Sequence, residues 1–406
     1  MKKIFFLCLI VSQVIANPQN FNVINGDVLV ESIDPNTLLV EASDNSIIEW
    51  DRFDIQKGES THFELDNPEG AVLNKVTGDI PSDISGLLSS NGFVYLVNPA
   101  GIIVSEKGVI DTQGFLASTL DISYEDFLNQ NFYFESDEKS QVVNLGTIQT
   151  NSGNAILIGY QVKNQGLITT EGNCLIGAGK KISLIPDQDQ MIQIQIDEED
   201  LNDLVKVEQK GIIESKSTYI AATATPYSFA IQNSGIIEAC GLIEKDGKIV
   251  LVAEKGSVAH EGTLSAQKGR DGGHIHLEGE GVYVAAESKI DVSGKRNGGS
   301  VYLGNNLHVS QEKKALKTLV EENATILAES TQRGNGGHVL MYGKDMAGFY
   351  GLILAKGGSL KGDGGLVEIN AERYLDAKGL IYTNASNGLT GTLKVQVEEV
   401  LVKGTG

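Results

Sequence analysis

Cysteine is scarce in this chain: three residues in 406, one of which, Cys8, lies inside the first apolar run. The other two, Cys174 and Cys240, cannot supply the dense framework that staples small secreted domains, so the fold must rest on its core and backbone hydrogen bonds. Proline is rare, with 7 residues, and tryptophan occurs once. Arginine appears only at Arg52, Arg270, Arg296, Arg333 and Arg373. Lys plus Arg (32) falls well short of Asp plus Glu (53), giving a formal net charge of -21. A chain of that sign repels phosphates, which excludes nucleic acid as a partner. No stretch after the N-terminus has the roughly 20 consecutive apolar residues of a spanning helix.

Glycine is abundant, with 47 residues. Gly-rich, Pro-poor composition with ordinary apolar content indicates many short strands joined by tight turns. The N-terminus reads separately. Lys2 and Lys3 precede an apolar run from Ile4 to Ile15, followed by Ala16 and Asn17. This is the pattern of a signal peptide cut between Ala16 and Asn17, which implies export rather than anchoring.

Internal repeats organise the remainder. Asn144-Leu145-Gly146-Thr147-Ile148, Asn164-Gln165-Gly166-Leu167-Ile168 and Asn233-Ser234-Gly235-Ile236-Ile237 share one pattern, which Gly211-Ile212-Ile213 and Gly108-Val109-Ile110 continue with other lead residues. Gly146 to Gly166 is 20 residues, Gly211 to Gly235 is 24, and Gly166 to Gly211 is 45, about two units. A second series, Asp271-Gly272-Gly273, Asn297-Gly298-Gly299, Asn335-Gly336-Gly337 and Asp363-Gly364-Gly365, precedes alternating strands such as Val301-Tyr302-Leu303 and Val367-Glu368-Ile369. Units that cannot bury an apolar face alone, stacked at this period, predict an all-β fold: a right-handed parallel β-helix with an N-terminal cap and short insertions.

At about 25 residues per coil the chain makes on the order of 15 coils. Gly and Asn are expected at corners that need left-handed backbone angles. Cys174 and Cys240, about three rungs apart, would lie roughly 14 Å from each other, too far for a disulfide. The regular hairpin dipeptides of a β-sandwich or barrel do not dominate. Ser310 as an N-cap, with Leu316, Leu319 and Val320 at helical spacing, predicts a short helix in an insertion.

Between Asn91 and Thr119 the sequence reads NGFVYLVNPAGIIVSEKGVIDTQGFLAST. With Ala71 to Val76 and Gly78 to Ser82 before it, and Leu120 to Ser123 and Asp126 to Leu128 after it, this resembles the haemagglutination-activity, or two-partner secretion, domain of filamentous-haemagglutinin-like exoproteins. A block from Gly334 to Gly379 is similar to one recurring in the passenger part of that family. The family's Asn-Pro-Asn-Gly is here Asn98-Pro99-Ala100-Gly101, in which Pro99 and Gly101 can still form the turn.

The resemblance implies a protein exported from the periplasm through an outer-membrane barrel transporter with periplasmic recognition domains, and located outside the cell or on its surface. It divides the chain into a signal peptide (1–16), a two-partner secretion domain (17–140) and a β-helical passenger region (141–406). Asn91, Gly92, Asn98, Pro99 and Gly101 are the candidate transporter-recognition and turn residues. The aromatics Tyr124, Phe127, Phe132, Tyr133 and Phe134 are expected to cap the open N-terminal end, where bare strand edges invite aggregation.

Metal and catalytic readings are weaker. His274 and His276 share a strand face but have no third ligand at motif spacing. Asp197 to Asp200 is an acidic run that reads as a solvated loop more readily than as a Ca²⁺ site. The acidic residues are scattered and no nucleophile motif stands out, so no cofactor is expected and the chain reads as a non-enzyme. The expected function is adhesin-like binding of a host glycan, matrix component or cell-surface receptor. The alternatives are a β-helical polysaccharide lyase or hydrolase and a structural surface-layer protein.

Overall fold

A computed structural model describes residues 17–186, 192–197, 207–226, 228–239, 247–267, 270–305 and 314–397. Each coil contributes three short strands to three faces. Ile102–Val104, Val109–Thr112 and Gly114–Ser118 make one coil, and Gln141–Asn144, Thr147–Thr150 and Ala155–Gly159 the next. Among the described residues the first face has 11 strands and the second and third have 14 each. Corresponding strands pair in parallel and in register, so this is the parallel β-helix that the repeats predict.

Register turns sequence alternation into ladders. On the second face Leu88, Ile110, Ile148, Ile168, Ile213, Ile237 and Leu264 stack inward, one per rung, and all are fully buried. On the first face Ile102, Val142, Val162, Val207 and Ile231 do the same. β-Branched side chains suit this half-buried pleated surface. A single coil has nothing above or below its apolar row, which makes stacking obligatory.

The N-terminal end is closed by antiparallel strands: Gln19–Asn25 pairs with Ser46–Arg52, and Val28–Asp34 with Thr37–Ala42. The expected aromatic cap lies elsewhere. Phe127 and Phe134 are buried against the outer side of the third face, with Leu73, Val97, Leu116, Ile156 and Leu175. They belong to a lateral flap made of the helix Tyr124–Leu128 and an antiparallel sheet of Tyr133–Glu135, Lys181–Pro186 and Ile192–Ile196. Those outward positions of the third face are apolar, so the flap is the cover they need. Ser123 caps the helix by accepting from the Asp126 amide at 3.0 Å.

Two further expectations are corrected. Lys317–Val320 is a strand of the first face, with Thr318 and Val320 pointing into the core, and Ser310 lies outside the described residues. The glycines of the Asn-x-Gly corners and of the Gly-Gly pairs also lack left-handed φ. Their role is close approach: a Cβ on Gly166 would stand 2.1 Å from the Gly146 carbonyl, and one on Gly211 would stand 2.0 Å from that of Gly166. That carbonyl accepts the amide of the next rung, as from Ile212 to Gly166 at 2.9 Å, so no side chain fits between the coils.

Candidate functional site

The turn at Asn98 is built from its own side chain. Asn98 is wholly buried; its Nδ2 donates to the Ile80 carbonyl at 3.0 Å and the Ser82 hydroxyl at 2.9 Å, and its Oδ1 accepts from the Ala100 amide at 2.9 Å. The Gly101 amide closes the turn on the Asn98 carbonyl at 3.0 Å, and the Gly101 carbonyl accepts from Ser82 at 3.0 Å. Gly101 adopts φ +135, which a side chain would strain, whereas Ala100 contributes its amide. The turn therefore forms with alanine at its third position. Pro99 and Ala100 are half-buried at its tip.

Asn91 performs the same task one corner earlier. Its Oδ1 accepts from the Leu65 amide at 2.8 Å, and its Nδ2 reaches the Leu65 carbonyl at 2.9 Å and Glu64 at 2.7 Å. Gly92 packs against Leu65 with no room for a Cβ. Thus Asn91, Gly92, Asn98 and Gly101 each tie one coil to the coil before it. At the other boundary, Asn17 is the first described residue, and its Oδ1 accepts from Thr61 at 3.2 Å; Ala16 lies outside the described residues.

A polar ladder runs through the core behind these turns. Nδ2 of Asn144 donates to Asn164 at 2.8 Å, and Nδ2 of Asn164 to Gln209 at 2.7 Å. Further along, Asn233 meets Nδ1 of His260 at 3.0 Å. Each of these five residues stands two positions before a corner glycine, which is the signal that an Asn-only repeat search misses at Gln209 and His260. From Asn144 to Gln209 the buried amides on successive rungs pair with one another, and that pairing fixes register.

A second ladder lies outside the Gly-Gly corners. Asp271 accepts from Arg296 and from both nitrogens of Asn297; Asn297 then accepts from the Asn335 amide at 3.0 Å, and Asn335 from that of Asp363 at 2.9 Å. The Arg296 hydrogen bond holds the Asp271 carboxyl below its ordinary range.

The flap is clasped by charge. Lys75 pairs with Asp121 at 2.7 Å, donates to the Ile122 carbonyl at 3.0 Å and lies 4.6 Å from the centre of the Tyr124 ring, whose hydroxyl binds Glu49. Burial together with that carboxylate raises the Tyr124 phenol well above its usual range.

The remaining candidates are not brought together. His276 is buried beside Glu278 at 3.8 Å and contacts the Asn305 carbonyl at 3.0 Å, while its strand neighbour His274 is exposed. Among the described residues no group of three His, Cys, Asp or Glu could hold a metal ion. Of the acidic run only Asp197 is described. Cys174 is a free thiol, and burial pushes it up to about 12, where it stays protonated and unreactive; Cys240 lies outside the described residues. No helix among the described residues is long and apolar enough to cross a membrane.

The fold is thus a capped parallel β-helix, flapped on one side and stapled from coil to coil by turn asparagines. The chain belongs to the TPS (two-partner secretion) domain family, whose model matches residues 13–266. It is similar to the crystal structure of the HMW1 secretion domain from Haemophilus influenzae, with a TM-score of 0.78 and 31% identity over 93% of this chain and all of that one. Two heme/hemopexin-binding proteins of Haemophilus influenzae are 26% and 25% identical to it. Those matches cover 75% and 89% of this chain but 35% and 44% of the relatives, so the chain spans less than half their length. Exoproteins of this family are secreted through an outer-membrane transporter to the cell surface or beyond.

Proposed function

We propose that this chain is exported by a dedicated outer-membrane barrel transporter whose periplasmic domains read its N-terminal coils, and that the exposed β-helix then binds a host or cell-surface ligand without chemistry. The observation that carries this reading is the likeness to a solved secretion domain over 93% of the chain. The coil-by-coil stapling supports it: each coil's partners lie in its neighbours, so the chain can cross the outer membrane extended and fold progressively outside. Lys2, Lys3 and the apolar run to Ile15 direct the first export step, with cleavage between Ala16 and Asn17.

Residues 17–140 serve as the export signal and 141–406 as the carried β-helix. The division is one of role, since the ladders pass residue 140 without a break. Asn91, Gly92, Asn98, Pro99 and Gly101 act in export by ordering the first coils, with Pro99 and Ala100 at the accessible tip. The names of the two relatives favour a haem-carrying host protein among the ligands, alongside a glycan, matrix component or cell-surface receptor. Fusing 17–140 or 17–266 to a reporter tests the division: export of the shorter fusion supports it, and export of the longer fusion alone overturns it.

A further inference from the structure

The first outward position of the second face forms an aliphatic stripe beside the corner glycines. Leu87, Val109, Thr147, Leu167, Ile212 and Ile236 stand directly above one another on six successive rungs. Leu87, Val109, Ile212 and Ile236 are between 36% and 40% exposed, and Thr147 and Leu167 are half-buried. At about 4.8 Å per rung the stripe is about 24 Å long.

The next outward column on the same rungs is Ser89, Asp111, Gln149, Thr169, Glu214 and Glu238, with three carboxylates and no cation. Asn151 holds Asp111 at 2.8 Å. Glu214 and Glu238 face each other directly in register, and neither has an ion-pair partner among the described residues. Like charges stacked in this way cost stability. Across the corner Lys210 is engaged by Glu208 at 3.2 Å and so is not aimed at them.

We propose that this stripe docks a basic amphipathic helix of a partner protein. Spacing selects the helix: one turn rises about 5.4 Å, close to one rung, whereas same-face side chains of a strand repeat at about 6.7 Å and lose step after two rungs. A helix of about 16 residues runs the length of the stripe and lays about one apolar residue per turn along it. Lys or Arg along one edge of that helix then meets Glu214 and Glu238. A second copy of this acidic chain would be repelled there.

The test uses a fluorescently labelled synthetic helix of about 18 residues, Leu once per turn and Lys along one edge, titrated with the full chain and read by anisotropy. Saturable binding is expected, with a Kd on the order of 100 µM for so small a contact. Replacing Glu214→Gln and Glu238→Gln together should weaken it about fivefold, and Ile212→Ser with Ile236→Ser should abolish it. A peptide of the same composition in scrambled order should not bind. The proposal is overturned by absence of saturable binding, by equal binding of the scrambled peptide, or by affinity unchanged in the Glu pair, whose outward positions leave the core intact.

Discussion

Nδ1 of His260 lies 3.0 Å from the amide nitrogen of Asn233, and Nε2 lies 3.2 Å from the Lys289 carbonyl. The first contact requires an unprotonated nitrogen and the second a protonated one, so the buried imidazole is neutral. Burial pushes it down to about 4.

A pH dependence follows with a definite sign. The unfolded imidazole takes up its proton near about 6.5 and the folded one near 4. Between those values the unfolded chain holds more protons, so the contribution is full above about pH 6.5 and is lost as pH falls toward 4. Denaturant unfolding across this window should show a decline that His260→Gln flattens, by at most about 3 kcal/mol. An identical slope in the variant would contradict the assignment.

The Asn ladder predicts a cost for an apolar replacement with the same heavy-atom branching. Asn164→Leu leaves Asn144 and Gln209 with buried groups unpaired, and should destabilise by about 2–4 kcal/mol. The denaturation midpoint measures it. Replacing both neighbours by Leu as well should recover only part of the loss: the unpaired amides are removed, but the Gly146 amide loses its acceptor on Asn144.

Close approach at the Gly-Gly corners separates two kinds of glycine. A Cβ on Gly272 would stand 1.8 Å from the Val292 carbonyl, so Gly272→Ala must move backbone. Gly58 has open space and φ +86, so Gly58→Ala should cost only about 1 kcal/mol. The Gly272 variant should lose at least twice as much; equal midpoints would refute the crowding.

Repetition made the fold legible in the sequence, and chemistry between coils stayed hidden. Alternation and the glycine period fix which residues point inward, so the Ile148, Ile168 and Ile213 ladder could be read directly. The ladder's polar members could not all be read by residue type, since its position requires a donor and an acceptor and Gln209 or His260 meets that need as well as asparagine. The flap joins Phe127 and Phe134 to Ile182 and Ile194, more than 40 residues away, on strands with no repeat to mark them. Leu316, Leu319 and Val320 satisfied a helical spacing by chance, because pairing with Met346–Phe349 decides that segment.

The Asn98 turn predicts an export phenotype. Asn98→Asp replaces the donor that faces the Ile80 carbonyl and Ser82, costing about 1–3 kcal/mol in the first coils. Secreted protein should fall while the periplasmic amount stays similar, as quantified by immunoblot of the two fractions. Unchanged secretion would remove that turn from the export pathway.

The central claim is transporter-dependent exposure. It is tested most directly by protease accessibility of the chain on intact cells and in the medium, with and without its outer-membrane transporter. The account predicts accessible, folded protein only when the transporter is present, and periplasmic retention without it. Equal exposure in both strains, or retention in both, would contradict it.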